Sequence, residues 1–357
     1  MKVAILGSGN GGCAAAADWS LAGHEVRLFD FPEFTEQISA VSKNGGVTIR
    51  GELDGFAPVQ YAGHNVEEAI EGAELILAIG PAYSSEPFAQ AVKDYITPHQ
   101  TYIVCPGSVG GALITKKVFN TSETAKDVCV GETSTLPYAS RLNEPGSVNV
   151  FLKLKGGLFL STIPASESNR VMGMLQQVYP GTTKAKNVLQ TMLQNSNPVI
   201  HPTVTLLNTG LIERTNGDFL FYEDGVTPGV GKLMKGVDRE RVRLGKELGV
   251  DLMIDPKLGV IQGYMTEESY ETGYATAPGF RGIKAQSQLD HRYLNEDVGF
   301  GLVFMSELAK KLNLETPLID SVIHIASAVM EKDYRREALR TLDSIGYTVE
   351  DILEENF

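Results

Sequence analysis

With 357 residues, the chain exceeds what one hydrophobic core usually fills, so we expect two domains. Hydrophobic residues make up 43% and charged residues 21% of the sequence, which is typical of a globular protein. The sequence shows no low-complexity tract and no internal repeat of solenoid type. The formal net charge of -13 opposes binding to nucleic-acid phosphates or anionic membrane surfaces, which leaves a small molecule as the expected ligand.

The cysteine content and the apolar runs indicate the compartment. The three cysteines, Cys13, Cys105 and Cys129, lack the spacing of a zinc site or a redox dithiol, so we expect buried, reduced thiols and no metal. The opening MKVAILGSG enters a strand pattern at once and leaves no room for a signal peptide. No run reaches the roughly 18 apolar residues of a membrane span. We therefore expect a cytoplasmic protein without membrane contact.

The first third of the chain alternates strand and helix patterns. A short apolar run precedes the glycines, an alanine-rich helical segment follows, and a second apolar run ends at Asp30, which predicts a parallel strand, helix, strand unit. Residues 46–50 and 57–61 resemble a hairpin added to the sheet. Buried strands are predicted at residues 74–79 and 101–105, each after a helical segment. This alternation predicts a doubly wound sheet.

The remainder of the chain changes in character. VCVGET, SVNVFLKLK and LFLSTI are predicted to be further strands of the first domain, followed by a helix at residues 168–178. Beyond about residue 186 strand signals nearly vanish, and helices are predicted near residues 199–214, 232–248, 297–312, 318–330 and 338–344. The sequence therefore predicts an α/β protein with a Rossmann-type domain over residues 1–187 and an all-helical domain over residues 188–357.

The loop after the first strand matches the dinucleotide-binding pattern G-x-G-x-x-G, because it follows a strand and opens a helix. Gly7 permits the tight turn, Gly9 lets the backbone approach a pyrophosphate, and Gly12 lets the helix pack close to the strand. The helix N-terminus then offers free N–H groups to the phosphates. The expected cofactor-binding residues of this loop are Gly7, Gly9, Asn10, Gly11 and Gly12.

Asp30 ends the second predicted strand, where an acidic residue of this motif is expected. Its carboxylate can accept hydrogen bonds from the ribose hydroxyls and would repel a 2′-phosphate, which favours NAD(H) over NADP(H). NADP(H) stays open if Arg27 or Lys43 lies near Asp30 in the fold.

Two of the six histidines are candidates for chemistry. His201 lies in NSNPVIHPTVTLLNTG, and because a helix accepts proline in its first turn, Pro202 predicts that His201 lies near the helix N-cap and presents its side chain to a cleft. His291 belongs to a dense polar cluster, LDHRYLNED, that is equally explained as the capping of a helix start.

At this point several motifs together resemble a known family. GSGNGG, CPGSVGGAL (residues 105–113), GETSTLPYASR (residues 131–141), NPVIHPTVTLLNTG and HRYLNEDVGFGL are similar to the opine dehydrogenases of the octopine and nopaline dehydrogenase family. Ser140 departs from the pattern, since cysteine is expected to be common there. The resemblance implies reductive condensation of the α-amino group of an L-amino acid with a 2-oxo acid such as pyruvate, through an imine and with a nicotinamide cofactor. It also implies a catalytic pair, His201 and Asp297, and a carboxylate-binding Arg292.

Elementary chemistry supports these roles. Imine formation must expel water from a carbinolamine and the reverse reaction must activate water, which suits an imidazole. A carboxylate such as Asp297 on its far nitrogen would fix the tautomer and favour the imidazolium. A guanidinium such as Arg292 suits the carboxylate of an oxo acid, although an i to i+4 pair with Glu296 explains this residue as well. Ser108 and Thr133 are candidate substrate contacts, and a plain strand-to-helix turn accounts equally for the loop of Ser108.

Two other functions compete with this interpretation. A 2-hydroxy acid dehydrogenase, or one of the glycerol-3-phosphate or ketopantoate type, would use a lysine acid, for which Lys232 and Lys235 are available. A non-catalytic NAD(H) sensor would share the fold but would leave His201 and Asp297 without a role. The apolar C-terminal helices fit either a homodimer contact or the core of the domain.

Overall fold

The computed structural model describes residues 1–337, 339–355 and 357. They form two compact units, Met1–Thr191 with Glu350–Phe357, and Met192–Val349. The end of the chain, expected in the helical domain, thus groups with the first unit. There Ile352 is buried, and the backbone N–H of Ala165 donates to Glu355 Oε2 at 3.2 Å. The functional boundary near residue 187 stays a prediction.

Short strands supply most of the first unit. They are β1 (Lys2–Leu6), β2 (Glu25–Phe29), β3 (Gly46–Gly51), β4 (Gly55–Pro58), β5 (Tyr61–Gly63), β6 (Leu75–Ala78), β7 (Thr101–Val104), β8 (Cys129–Thr133), β9 (Tyr138–Leu142), β10 (Ser147–Lys153), β11 (Leu158–Ile163) and β12 (Thr182–Lys184). The helices between them are α1 (Asn10–Leu21), α2 (Thr35–Asn44), α3 (Val66–Ile70), α4 (Ser85–Val92), α5 (Gly111–Phe119) and α6 (Ser168–Leu175).

The main sheet has the order β12-β11-β8-β7-β6-β1-β2-β5. Its neighbouring strands are parallel except for the pair β8 and β11. The side chains of Val3 to Leu6 on β1 are all buried, as expected for a central parallel strand covered on both faces. The strand order reverses between β1 and β6, the switch point at which doubly wound sheets bind ligands. The predicted Rossmann-type sheet is therefore confirmed.

A second sheet of four strands, in the order β4-β3-β10-β9, corrects one prediction. The hairpin of β3 and β4 does not join the main sheet, because β3 pairs in parallel with β10, about one hundred positions later in the chain. Tyr61, which was predicted to end this hairpin, instead begins β5 of the main sheet. No local sequence pattern shows whether this hairpin pairs with the main sheet or with β10.

The second unit is helical, as predicted. Its helices are α8 (Asn197–Leu207), α9 (Thr209–Thr215), α10 (Pro228–Glu247), α11 (Asp255–Gln262), α12 (Arg292–Asn295), the π-helix Asp297–Leu302, α13 (Val303–Lys311), α14 (Pro317–Met330), α15 (Tyr334–Glu337) and α16 (Leu342–Ile345). Two helices span the unit boundaries, α7 (Val188–Gln194) and α17 (Val349–Glu354).

Three helix predictions need correction. The helix expected at residues 199–214 ends at Leu207 and resumes as α9, and the helix expected to begin at Asp297 begins with a π-helix. The helix expected at residues 338–344 is found only from Leu342 onward. Its first residue, Ala338, lies outside the described residues.

The three cysteines are free and buried, as expected. Burial raises the pKa of Cys13 and Cys105 to about 12 and that of Cys129 to about 11. Such thiols are unreactive, because the thiolate is the nucleophilic form. In the part of the chain that is described, no helix combines the length and apolar character needed to cross a bilayer.

Candidate active site

The glycine loop joins β1 to α1, and two of its glycines are sterically required. Gly7 has φ +108°, and a Cβ there would lie 2.2 Å from the carbonyl oxygen of Ile79. A Cβ on Gly12 would lie 1.8 Å from the carbonyl oxygen of Gly7. A Cβ on Gly9 would meet nothing within 4 Å, so the space above the loop is open. These contacts fit a loop whose backbone N–H groups hold a phosphate group.

Asn10, the first residue of α1, is hydrogen-bonded to β9, and Gly11 follows it in the helix. Asn10 Oδ1 accepts a hydrogen bond from the backbone N–H of Leu142 at 2.9 Å, and its carbonyl accepts one from Ser140 Oγ at 3.2 Å. A Cβ on Gly11 would lie 2.8 Å from Leu136 Cδ2. Ser140, which departs from the expected cysteine, therefore stabilises the loop through its hydroxyl.

Asp30 lies at the carboxyl end of β2 with 6% of its surface exposed. Its Oδ2 accepts hydrogen bonds from the backbone N–H and the hydroxyl of Ser8, both at 2.6 Å, and its Oδ1 accepts one from the N–H of Phe31 at 2.9 Å. These bonds use three of the roughly four acceptor positions of a carboxylate. Asp30 thus anchors the glycine loop and retains room for about one further donor. Arg27 is occupied elsewhere, since its Nη1 donates to the carbonyl of Glu68 at 2.6 Å.

Ser108 lies in the loop after β7 and Thr133 is the last residue of β8, and both are buried. Ser108 has φ +50°, and Thr133 Oγ1 donates to the carbonyl of Thr135 at 2.9 Å. The carbonyl of Thr133 accepts from the N–H of Gly107 at 2.9 Å, so the two loops are joined through their backbones.

Glu132 is a buried charged residue that sequence reasoning missed. Its Oε2 accepts from the N–H of Ala112 in the first turn of α5 at 2.9 Å, and its Oε1 accepts from Thr191 Oγ1 at 2.6 Å. A carboxylate is stabilised by a helix N-terminus. Glu132 therefore fixes the start of α5 and the loop that carries Ser108. An acidic residue in an otherwise uncharged strand was the available signal.

His201 is the fifth residue of α8 and is 8% exposed. The prediction that it lies near the N-cap is wrong, because Pro198, not Pro202, occupies the first turn of the helix. Pro202 lies inside the helix, where its missing N–H removes one backbone hydrogen bond.

His201 and Asp297 are in direct contact. His201 Nδ1 lies 2.8 Å from Asp297 Oδ2, and Asp297, at the start of the π-helix, is 5% exposed. Since an ionised carboxylate only accepts hydrogen bonds, Nδ1 carries the proton and Nε2 is left for other partners. The imidazole ring stacks on Tyr293 with centroids 3.9 Å apart, and Nε2 lies 3.2 Å from the hydroxyl of Tyr222.

The π-helix packs closely against the proline ring of Pro198 on α8 at Gly301. A Cβ on Gly301 would lie 2.5 Å from Pro198 Cγ. Pro198 lies one turn before His201, and Gly301 lies about one turn after Asp297. The absence of a side chain at Gly301 therefore allows the spacing at which His201 and Asp297 meet.

Arg292 forms the i to i+4 pair considered above. Its Nη2 lies 3.0 Å from Glu296 Oε2, and the arginine side chain is 52% exposed while that of Glu296 is 6% exposed. His291 is the N-cap of α12, where its side chain accepts from the N–H of Tyr293. The capping interpretation of His291 is thus supported, and the structure leaves the guanidinium of Arg292 partly accessible.

The lysines of the competing dehydrogenase types lie on α10. Lys232 is exposed, and Lys235 Nζ lies 3.5 Å from Glu271 Oε1.

Comparisons with known proteins identify the family. The family model of the NAD/NADP octopine/nopaline dehydrogenase α-helical domain matches residues 184–330. An opine dehydrogenase of Arthrobacter sp. (strain 1C) is 34% identical over 96% of this chain and 94% of its own length. A solved structure of octopine dehydrogenase in complex with NADH and agmatine matches with a TM-score of 0.82 and 20% identity, covering 99% of this chain and 98% of the other.

A ketopantoate reductase from Ralstonia eutropha matches with a TM-score of 0.59 and 18% identity over 93% of this chain and 99% of its own, which reflects the shared fold alone. Neither this dehydrogenase type nor a non-catalytic sensor is favoured by the comparisons. The chain therefore belongs to the opine dehydrogenases of the octopine and nopaline dehydrogenase family, which are NAD(P)-dependent oxidoreductases acting on CH–NH donors.

Proposed function

We propose that the enzyme condenses the α-amino group of an L-amino acid with pyruvate and reduces the resulting imine with NADH, and that it also catalyses the reverse oxidation. The observation that carries the proposed mechanism is the buried contact of 2.8 Å between His201 Nδ1 and Asp297 Oδ2. Relatives support the substrate classes, since octopine dehydrogenase has been solved with L-arginine and with pyruvate.

His201 is the proposed acid and base. In the condensation direction its imidazolium donates the Nε2 proton to the hydroxyl of the carbinolamine, the C–O bond breaks, water leaves, and the nitrogen lone pair forms the C=N bond. In the reverse direction neutral Nε2 accepts a proton from the water that attacks the imine carbon. Asp297 holds the Nδ1–H tautomer and stabilises the imidazolium. The nicotinamide cofactor supplies and accepts the hydride.

Arg292 is the proposed ligand of the oxo-acid carboxylate. Its guanidinium is partly exposed and pairs with Glu296, and a planar two-pronged donor suits a carboxylate. We expect Glu296 to orient the guanidinium of Arg292, and the accessible N–H groups of that guanidinium to bind the carboxylate of the oxo acid. Ser108 and Thr133 are proposed to lie at the substrate as well. Both are buried, so they would act through the backbone and shape of their loop.

The first unit is proposed to bind the cofactor, through the backbone of Gly7, Gly9 and Gly12 and through Asp30. We propose a preference for NADH over NADPH, since Asp30 places a negative charge beside the loop and Arg27 is held by Glu68. A yersinopine dehydrogenase has been solved with NADP⁺, so both cofactors occur among structures of this fold. We further expect a cytoplasmic enzyme, either monomeric or a homodimer.

A coupled substrate assay tests the proposal. NADH oxidation is followed with pyruvate alone and then with each common amino acid added, and NADPH replaces NADH in a parallel series. We expect turnover only when an amino acid is present, and at least about tenfold higher kcat/KM with NADH. Turnover with pyruvate alone would contradict the condensation, and equal use of both cofactors would contradict the proposed role of Asp30.

A further inference from the structure

Tyr222 lies against the nitrogen of His201 that faces away from Asp297. Its hydroxyl oxygen is 3.2 Å from His201 Nε2, and Tyr222 is 5% exposed. Because Asp297 accepts the Nδ1 proton, Nε2 is the ring nitrogen that must exchange a proton with the substrate. Tyr222 therefore contacts the atom at which the proposed proton transfer takes place.

Aromatic packing holds both rings in place. The Tyr222 ring stacks on Phe280 with centroids 4.1 Å apart and meets Phe221 edge-on at 5.0 Å. The imidazole of His201 stacks on Tyr293. The distance between the hydroxyl and Nε2 is thus set by the packing of the core as well as by the hydrogen bond itself.

The hydroxyl of Tyr222 stays protonated. Burial raises the pKa of Tyr222 well above its ordinary value, and Tyr293, Tyr264, Asp255 and Asp297 raise it further. A neutral hydroxyl donates and accepts hydrogen bonds. It can therefore donate to Nε2 when the imidazole is neutral and accept from Nε2–H when the imidazole is charged.

We propose that Tyr222 is a positioning residue for proton transfer: its hydroxyl hydrogen-bonds His201 Nε2 in both protonation states and directs this nitrogen until the hydroxyl of the carbinolamine, or the attacking water, takes its place. A buried ring nitrogen without such a partner would be destabilised in one state or the other. Tyr222 gains and loses no net proton in this scheme. The inference rests on the proposed role of His201 as the acid and base.

Tyr222→Phe tests the role by removing one oxygen atom and keeping the stacked ring. We expect kcat to fall about tenfold or more in both directions, since the lost hydrogen bond involves a charged partner. The KM of each substrate and the affinity for NADH should change less than about twofold. An unchanged kcat would overturn the inference.

Tyr274→Phe is the matched control. The Tyr274 ring lies in the same aromatic cluster, 6.4 Å from that of Tyr222. Its side chain is fully buried, and in the described part of the chain its hydroxyl has no hydrogen-bond partner. This substitution therefore removes a buried hydroxyl from the cluster without touching His201. We expect wild-type rates, so that a loss caused by Tyr222→Phe alone reports the contact with Nε2.

A double-mutant cycle separates positioning from a direct role. Single-turnover rates are compared for His201→Ala with and without Tyr222→Phe, because the residual rates are slow. If Tyr222 acts through His201, the second substitution causes no further loss. A further tenfold loss in the His201→Ala background would overturn the inference, since Tyr222 would then act on the substrate or on the fold. If His201→Ala itself retained the wild-type rate, the proposed role of His201 would fail instead.

Discussion

Gly301→Ala tests whether the approach of α8 to the π-helix sets the geometry of the proposed catalytic pair, His201 and Asp297. The new Cβ would lie 2.5 Å from Pro198 Cγ and 2.9 Å from Pro198 Cβ, whereas ordinary contact begins at 3.4 Å. Neither partner can yield by rotating a side chain, because one is a proline ring on a helix and the other is attached directly to the backbone. The two elements must therefore separate by roughly 1 Å.

This displacement acts within about one turn of both proposed catalytic residues. The separation of His201 Nδ1 and Asp297 Oδ2, now 2.8 Å, would grow past the usual limit of a hydrogen bond. A misplacement of about 1 Å can reduce turnover about 100-fold. We expect a fall of that order in kcat. Alanine favours helix formation more than glycine does, so the loss would come from the displaced pair and not from a weaker helix.

The assay compares steady-state NADH oxidation by Gly301→Ala and Gly299→Ala, with thermal unfolding and NADH binding measured for both. Gly299 lies in the same π-helix, but a Cβ there meets the end of the Leu339 side chain at 3.1 Å and Tyr334 Cδ1 at 3.4 Å. Because the exposed Leu339 side chain can move aside, this control should keep most of its activity. A folded Gly301→Ala enzyme with wild-type kcat would refute the reasoning.

Three further predictions concern individual side chains. His201→Ala and Asp297→Ala should each lower kcat by about 100-fold or more with NADH affinity nearly intact, and comparable losses in kcat and NADH affinity would argue against roles in proton transfer. Arg292→Ala should chiefly raise the KM for the oxo acid, and an unchanged KM would exclude Arg292 as the ligand of the oxo-acid carboxylate. Burial and, as the next largest cause, the nearby carboxylate of Asp238 raise the pKa of Asp255 from 3.8 to about 7. Between about pH 4 and 7 Asp255 ionises in the unfolded protein but stays protonated in the folded one. The free energy of unfolding therefore falls by on the order of 4 kcal/mol as the pH rises through this window. Asp255→Asn should therefore gain stability relative to wild type across that window in urea unfolding, and a pH-independent difference would count against the shift.

Local sequence patterns predicted the elements better than their partners. The alternation of strands and helices predicted the Rossmann-type sheet, because the apolar composition of each run is enough to indicate a buried strand. The second sheet was missed because β3 pairs with β10, and a contact between segments so distant in the chain has no local signature. The role of Glu132 was missed for the same reason, because its partners Ala112 and Thr191 are distant in the sequence and meet it only in the folded protein.

The site was predicted in part by motif and in part by chemistry. The motifs around His201 and Asp297 indicated a pair, and the structure places these two side chains in contact. Tyr222 was not anticipated, because it lies in FLFYEDG, where an aromatic residue is equally typical of a core. Its contact with His201 depends on the packing of the aromatic cluster, which sequence spacing does not show.

Three features that break helix rules lie beside the contact between His201 and Asp297. A proline inside α8, a glycine pair in the segment after Asp297 and a π-helix are each unfavourable or uncommon by themselves. Natural proteins tend to retain such features where function requires a particular geometry. Here Pro202 follows His201 directly, and Gly301 permits the approach of Pro198 to the π-helix. The helix-breaking residues in NPVIHP and DVGFGL are thus a physical signal that points to the proposed site, independent of any family resemblance.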